Sequence, residues 1–242
     1  MILHNNLNNK NIKHIFLDID GTLTRWINVE VFLKKSCKAI GLPYKSEFLS
    51  MLFKAMKMNE LEAIISGRLD EREYELFLAT YIDDLGLYHL KGKDLKEKMF
   101  ELEAKETFIM SDVIPTLQEL KKEYLLYCYT NWYYNQACKK LDYHNISGYF
   151  ESIYAADRFY LKFTKVGFDY ILRKLHANPD EIVMIGDAES DINPPAKLGI
   201  KTIYLNYDLI PECISEQERR IIDVSSASIT EFSDITKILA RK

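Results

Sequence analysis

Apolar positions along the chain follow two different periods. From Trp26 to about Phe108 they recur every three to four residues, in VFLKKSCKAIGL, FLSMLFKAM, LEAIISG and EYELFLATYIDDLGL. That spacing predicts helix after helix and no strand. Gly41 and Gly67 each follow one of these runs and read as helix stops. Outside this region short apolar runs alternate with helical ones. The pattern predicts strands over 13–18, 124–130, 152–155, 181–186 and 201–205, and helices over 112–123, 133–142, 164–175 and 191–198. A last strand–helix pair is expected over roughly 221–240. Strands alternating with helices imply an α/β core, a Rossmann-like parallel sheet with helices on both faces. The helical region then enters as an insertion after the first core strand. The expected division is a core of 1–25 and 109–242 and a helical cap of 26–108.

Composition fits this picture without narrowing it. The chain has 242 residues, 48% hydrophobic and 28% charged, ordinary for a globular protein with a sizeable core. Its net charge of −4 argues against nucleic acid as a partner, since phosphate backbones need a basic face. The first eleven residues, MILHNNLNNKN, are polar and lack the apolar segment of a signal peptide. No apolar run approaches the length of a membrane span. The four cysteines, Cys37, Cys128, Cys138 and Cys213, form no metal-type pair. Cys128 sits in an apolar run and reads as a buried thiol. A reducing cytoplasm is the expected location.

The strand ends carry the chemistry. In open α/β sheets, ligands gather beyond the carboxyl ends of the strands. The first core strand ends in Asp18-Ile19-Asp20, two carboxylates that repel each other. The next ends in Thr130-Asn131. The strand over 181–186 runs into Asp187, with Asp191 four residues on, and Lys162 follows the strand at 152–155. Something must offset the repulsion at Asp18 and Asp20, and a cation is the simplest agent. Carboxylates hold Mg²⁺. Thr, Asn and Lys donate to phosphoryl oxygens.

With these four pieces, DIDGT (18–22), YTN (129–131), LKFTKVGF (161–168) and GDAESD (186–191), the chain resembles the haloacid dehalogenase (HAD) superfamily, in its phosphatase branch with a helical cap after the first motif. The pieces stand in the family's order, and the resemblance covers essentially the whole chain. It implies that Asp18 is the nucleophile and Asp20 the general acid and base, with the backbone carbonyl of Asp20 on the metal. It implies that Thr130, Asn131 and Lys162 hold the phosphoryl group. Asp187 would bind Mg²⁺ directly and Asp191 directly or through water. Asp191 also suits a helix N-terminus ahead of Pro194 and Pro195.

The sequence departs from the family's common pattern at Phe163-Thr164-Lys165, Arg25 and Trp132. Phe168 keeps the register that selects Lys162 over Lys165. Haloacid dehalogenases proper resemble this fold but lack the second aspartate, so Asp20 favours phosphoryl transfer over carbon–halogen cleavage. The implied activity is hydrolysis of a small phosphomonoester, a nucleotide, sugar phosphate or phosphoglycolate, through an aspartyl-phosphate, by a monomer or dimer. A phosphomutase of the same fold, a non-catalytic binding module and a phosphorylated switch are the competing readings. Arg25, Trp26, Arg68 and Trp132 are the candidate specificity residues; packing of cap against core is the alternative role for the aromatics, and the favoured one for Tyr133 and Tyr134.

Overall fold

The computed structural model describes residues 2–5, 7–52, 54, 69–210 and 213–240. Its strands are β1 (Ile2–Asn5), β2 (His14–Leu17), β3 (Arg25–Trp26), β4 (Thr107–Phe108), β5 (Leu125–Thr130), β6 (Ser152–Ala155), β7 (Ile182–Gly186), β8 (Lys201–Leu205) and β9 (Ala227–Ile229). Its labelled helices are α1 (Val29–Ala39), α2 (Glu71–Asp84), α3 (Gly92–Glu103), α4 (Val113–Leu120), α5 (Tyr134–Tyr143), α6 (Lys165–Leu175), α7 (Glu189–Ala196), α8 (Glu216–Val224) and α9 (Asp234–Leu239).

β2 lies inside a seven-stranded sheet of order β1-β9-β8-β7-β2-β5-β6. It pairs in parallel with β5 and with β7, so Leu17 sits between Cys128 and Ile185. The pleat sends alternate side chains to opposite faces. Ile15, Leu17, Leu126, Cys128, Val183 and Ile185 pack on one face with residues of α4, α5 and α9. Phe16, Tyr127, Tyr129, Ile182 and Met184 pack on the other with Phe168 and Ile171 of α6. Ile15, Phe16 and Leu17 are fully buried, and burying a side chain of this size contributes about 1.5–3 kcal/mol. Two-sided burial therefore fixes the level at which β2 ends, and with it the height of Asp18.

The expected α/β class, with its parallel sheet covered on both faces, is the observed one, with three differences. Residues 2–5 form β1, antiparallel to β9 at the sheet edge. The segment ILHN is too short to show a period, and its pairing is supplied by the neighbouring strand. The segment from 216 to 224 is helix α8, not the start of a strand; the strand of that pair is β9 and the helix α9. The signal for α8 was present as the capping box of Ser215 and Glu218, whose side chains each accept from the other's backbone N–H. The two isoleucines that suggest a strand, Ile221 and Ile222, lie on that helix.

Third, the helical region is bracketed by a two-residue ribbon. β3 and β4 pair antiparallel, Arg25 with Phe108 and Trp26 with Thr107. The chain thus leaves and re-enters the sheet domain at adjacent points. Between them, α1, α2 and α3 bury a cluster of their own, including Phe32, Leu33, Leu78, Ile82, Leu95 and Phe100. Tyr133, Ala156 and Leu161, from the loops after β5 and β6, join that cluster. Gly41 follows α1 with φ of +75°. Gly67 lies outside the described residues. Among the described residues no helix is long and apolar enough to cross a membrane.

Candidate active site

The loop after β2 is tied down by its own backbone. Asp18 N–H donates to Ile185 O at 3.0 Å, extending the strand pairing by one residue. Gly21 N–H donates to Thr24 O at 2.7 Å, and Thr24 N–H returns to Ile19 O at 2.8 Å. Gly21 has φ of +86°, and a Cβ there would lie 2.0 Å from Asp187 Oδ2. Only glycine fits this turn, for conformation and for space. A Cβ on Gly186 would likewise meet Asp191 Cγ at 2.2 Å. Two glycines thus let two carboxylates approach the end of β2.

Asp18, Asp187 and Asp191 each place a carboxylate oxygen within 4.8 Å of the others. Lys162 Nζ lies 2.5 Å from Asp18 Oδ1 and 2.5 Å from Asp191 Oδ1. Asp191 Oδ2 accepts from the Ala188 N–H at 3.0 Å, so this residue also caps the start of α7. Its Oδ1 is buried and makes the ion pair without any hydrogen bond of good angle. Three carboxylates thus face one ammonium. Burial raises Asp18 well above the usual carboxylate range; Lys162 opposes this, and Asp191 and Asp187 add to it. Burial, then Asp191, pushes Asp187 up to about 7. Burial disfavours the ammonium of Lys162, but Asp18 and Asp191 outweigh it and the net shift is upward. An uncompensated negative site of this kind, with a buried oxygen free of hydrogen bonds, fits a divalent cation.

Asp20 stands apart from that trio. Its Oδ1 takes Lys140 Nζ at 2.5 Å, and Lys140 also donates to Glu103 Oε1 at 2.7 Å. Lys140 and Glu103 are 1% and 3% exposed. So the repulsion read at Asp18 and Asp20 is met in part by two lysines, one for each carboxylate. The side chain of Asp20 is not part of the three-carboxylate cluster.

A cavity of about 380 Å³ opens over these groups. Asp18, Asp20, Thr130, Asn131, Lys162 and Asp187 line its floor, with Trp26 and Trp132 among its walls. Thr130 Oγ1 accepts from Trp132 N–H at 3.2 Å. Asn131 Oδ1 accepts from Lys162 N–H at 2.7 Å, and its Nδ2 donates to Ser190 Oγ at 3.3 Å. Asn131 therefore joins the loop that carries Lys162 to the first turn of α7, which carries Ser190. Arg25 is not among the lining residues: it pairs with Asp208 and stacks on Tyr207, 5.4 Å from the ring centre. Arg68 lies outside the described residues. Tyr133 is fully buried against Phe100 of α3, with ring centres 5.6 Å apart, and packs the two parts of the chain together. Tyr134 stacks instead with Arg158.

Lys140, Glu103 and Gln136 were not singled out in the sequence. Their signal is charged or amide residues on an apolar helical face. Gln136 and Lys140 share the buried face of α5 with Ala137 and Leu141, and Glu103 follows Met99 and Phe100 along α3.

A sequence model of haloacid dehalogenase-like hydrolases matches residues 12–199. A phosphoglycolate phosphatase of Aquifex aeolicus (strain VF5) is 27% identical over 232 residues, covering 90% of this chain and 99% of that protein. Among solved structures, YfnB of Bacillus subtilis, described as a HAD-hydrolase bound to magnesium, superposes with a TM-score of 0.68 at 17% identity, covering 95% of this chain and 99% of that one. A 2-haloacid dehalogenase of Pseudomonas syringae pv. tomato gives a TM-score of 0.68 at 21% identity, over 95% and 99%. These two structural likenesses speak to the fold.

Proposed function

The chain belongs to the haloacid dehalogenase-like hydrolases, and we propose that within them it is a Mg²⁺-dependent phosphatase acting on a small phosphomonoester. One observation carries this reading: Asp20 lines the same cavity as Asp18, Lys162 and Asp187. A nucleophile alone serves carbon–halogen cleavage. A second carboxylate beside it serves a reaction that must protonate a leaving oxygen and then activate water. The name of the Aquifex relative points the same way.

In the proposed reaction Asp18 attacks phosphorus, forming an aspartyl-phosphate as the P–O bond to the alcohol breaks. Asp20 gives its proton to the departing oxygen. It then takes a proton from water, whose oxygen attacks phosphorus and releases inorganic phosphate and free Asp18. The contact with Lys140 fixes the position of the Asp20 carboxyl beside Asp18. Lys162 steadies Asp18 and faces the phosphoryl charge, with Thr130 and Asn131 beside it. Asp18, Asp187, Asp191 and the backbone carbonyl of Asp20 would hold Mg²⁺, which supplies Lewis-acid neutralisation of that charge when bound.

Residues 26–108 serve in this proposal as a cap, with the β3–β4 ribbon at its base. Four free thiols suit a reducing compartment, and we assign the protein to the cytoplasm. The test is a panel of phosphomonoesters with Mg²⁺, read as inorganic phosphate, with a 2-haloacid read as halide in parallel. Phosphate release is expected. Halide release with no phosphate release overturns the proposal.

A further inference from the structure

The floor of the cavity is charged, but its walls, Glu103 apart, are not. Trp26, Phe32, Met99, Phe100, Trp132 and Phe163 supply most of them. Among the described residues, Lys162 is the one cation that lines the cavity, and Asp18 and Asp191 already hold it. Lys140 is buried below Trp26 and held by Asp20 and Glu103. A second anionic group on the substrate, such as a carboxylate, would meet Glu103 and Asp20 and find no free cation among the described residues. Desolvating an unpaired charge is strongly unfavourable.

A sugar fares little better. Its several hydroxyls each need a partner, and the walls offer few. Tyr74 OH is directed at Met99 Sδ, 3.9 Å away. One wall group lacks a partner among the described residues. Gln136 is 3% exposed, lines the cavity, and its Oε1 has no hydrogen bond among the described residues. A buried amide oxygen accepts from a donor, and no donor among the described residues reaches it.

We infer that the non-phosphate part of the substrate is an uncharged aromatic ring, held against Trp26, Trp132 and Phe100, that carries one hydrogen-bond donor for Gln136 Oε1. This rests on the phosphatase reading above. Indole and benzene rings offer flat faces for edge and stacked contacts with an aromatic ligand, and Met99 adds a polarisable surface. The volume, about 380 Å³, lies within the range of small-molecule sites, roughly 300–1,000 Å³.

The probes must share one leaving-group chemistry, so that recognition and not reactivity is compared. All are alkyl phosphates: 2-phenylethyl phosphate, 2-(indol-3-yl)ethyl phosphate, 2-(naphthalen-1-yl)ethyl phosphate, phosphoglycolate and glucose 6-phosphate, each with Mg²⁺. The aromatic esters should exceed the last two by at least about tenfold in kcat/KM. The indole ester, which has an N–H, should exceed the naphthalene ester by about fivefold, the weight of one net hydrogen bond. Gln136→Leu should bring that ratio to about one, and Gln136→Glu, which keeps the acceptor, should preserve it.

Preferred turnover of phosphoglycolate or glucose 6-phosphate overturns the inference and leaves the phosphatase reading standing. Equal turnover of the indole and naphthalene esters by the unmodified enzyme overturns the role of Gln136. If no ester is hydrolysed, the phosphatase reading falls and binding decides the inference. Trp26 and Trp132 are the two tryptophans of the chain and both line the cavity. Tryptophan fluorescence of Asp18→Asn should therefore respond to 2-phenylethyl phosphate at concentrations at least about tenfold below phosphoglycolate. Equal or reversed affinities overturn it.

Discussion

Lys140 binds Asp20 across 120 residues of sequence, at 2.5 Å, from a side chain that is itself 1% exposed. Its second partner, Glu103, ends α3. A buried lysine thus joins the loop of the acid/base candidate to the helical region. Removing one member of a buried ion pair costs about 3–5 kcal/mol. Asp20 is partly exposed and can regain water, so the low end applies to Lys140→Met. That is a fall in Tm of about 6–12 °C for a chain of this size. Lys140→Met/Glu103→Gln should recover part of it. Thermal unfolding of the three proteins tests this; an unchanged Tm for Lys140→Met refutes the bridge.

Asp20→Asn separates acid catalysis from metal binding. The side chain of Asp20 points to Lys140 and lies outside the carboxylate trio. The variant should keep its Mg²⁺ affinity. It should lose about 10²–10⁴-fold on an alkyl phosphate and much less on 4-nitrophenyl phosphate, whose leaving group needs no proton. Equal losses on both, with weakened Mg²⁺ binding, would make Asp20 a metal-site residue.

Asp18→Asn keeps shape and removes the attacking charge. Lys162 retains Asp191 as a partner, so the fold should persist with its melting temperature little changed. Turnover should fall to background. Retention of most activity in this folded variant rules out Asp18 as nucleophile.

Chelation should abolish hydrolysis and Mg²⁺ should restore it, with Ca²⁺ restoring it poorly because its coordination shell is larger and looser. Binding to the native state also stabilises it, by about 2.7 kcal/mol at a hundredfold excess over Kd. Melting curves with Mg²⁺ and with EDTA should differ by about 5–10 °C. Asp187→Asn should shrink that difference. Identical curves and chelator-resistant activity would remove the cation from the site.

Glu103 sets a pH dependence of stability. Burial pushes it up to about 7, Asp20 adds to the rise, and Lys140 opposes both. Because the folded carboxyl holds its proton to higher pH than the unfolded one, the native state binds more protons between about 4.5 and 7. Its contribution is full below that window and declines as pH rises through it, by at most about 1.4 kcal/mol per pH unit. Glu103→Gln should lack this decline. Denaturant unfolding of both proteins across pH 4.5–7 measures it, and parallel curves contradict it.

The amino-acid sequence by itself determined the α/β class and the strand ends at which the polar residues stand. Both are local matters: two-sided burial of Ile15, Phe16 and Leu17 requires an apolar run, and the run stops where Asp18 begins. Only the tertiary structure decided what those residues meet. The contacts of Lys140 with Asp20 and Glu103 join segments 120 and 37 residues apart, and no periodicity encodes such distances. Arg25 and Trp26 are neighbours in sequence, yet the pleat of β3 sends one to Asp208 and the other to the cavity wall. The edge strand β1 was hidden because its hydrogen bonds are made by β9, more than two hundred residues away. The apolar character of the cavity is likewise collective: Phe32, Met99 and Phe100 read as ordinary core residues until folding gathers them over the carboxylates.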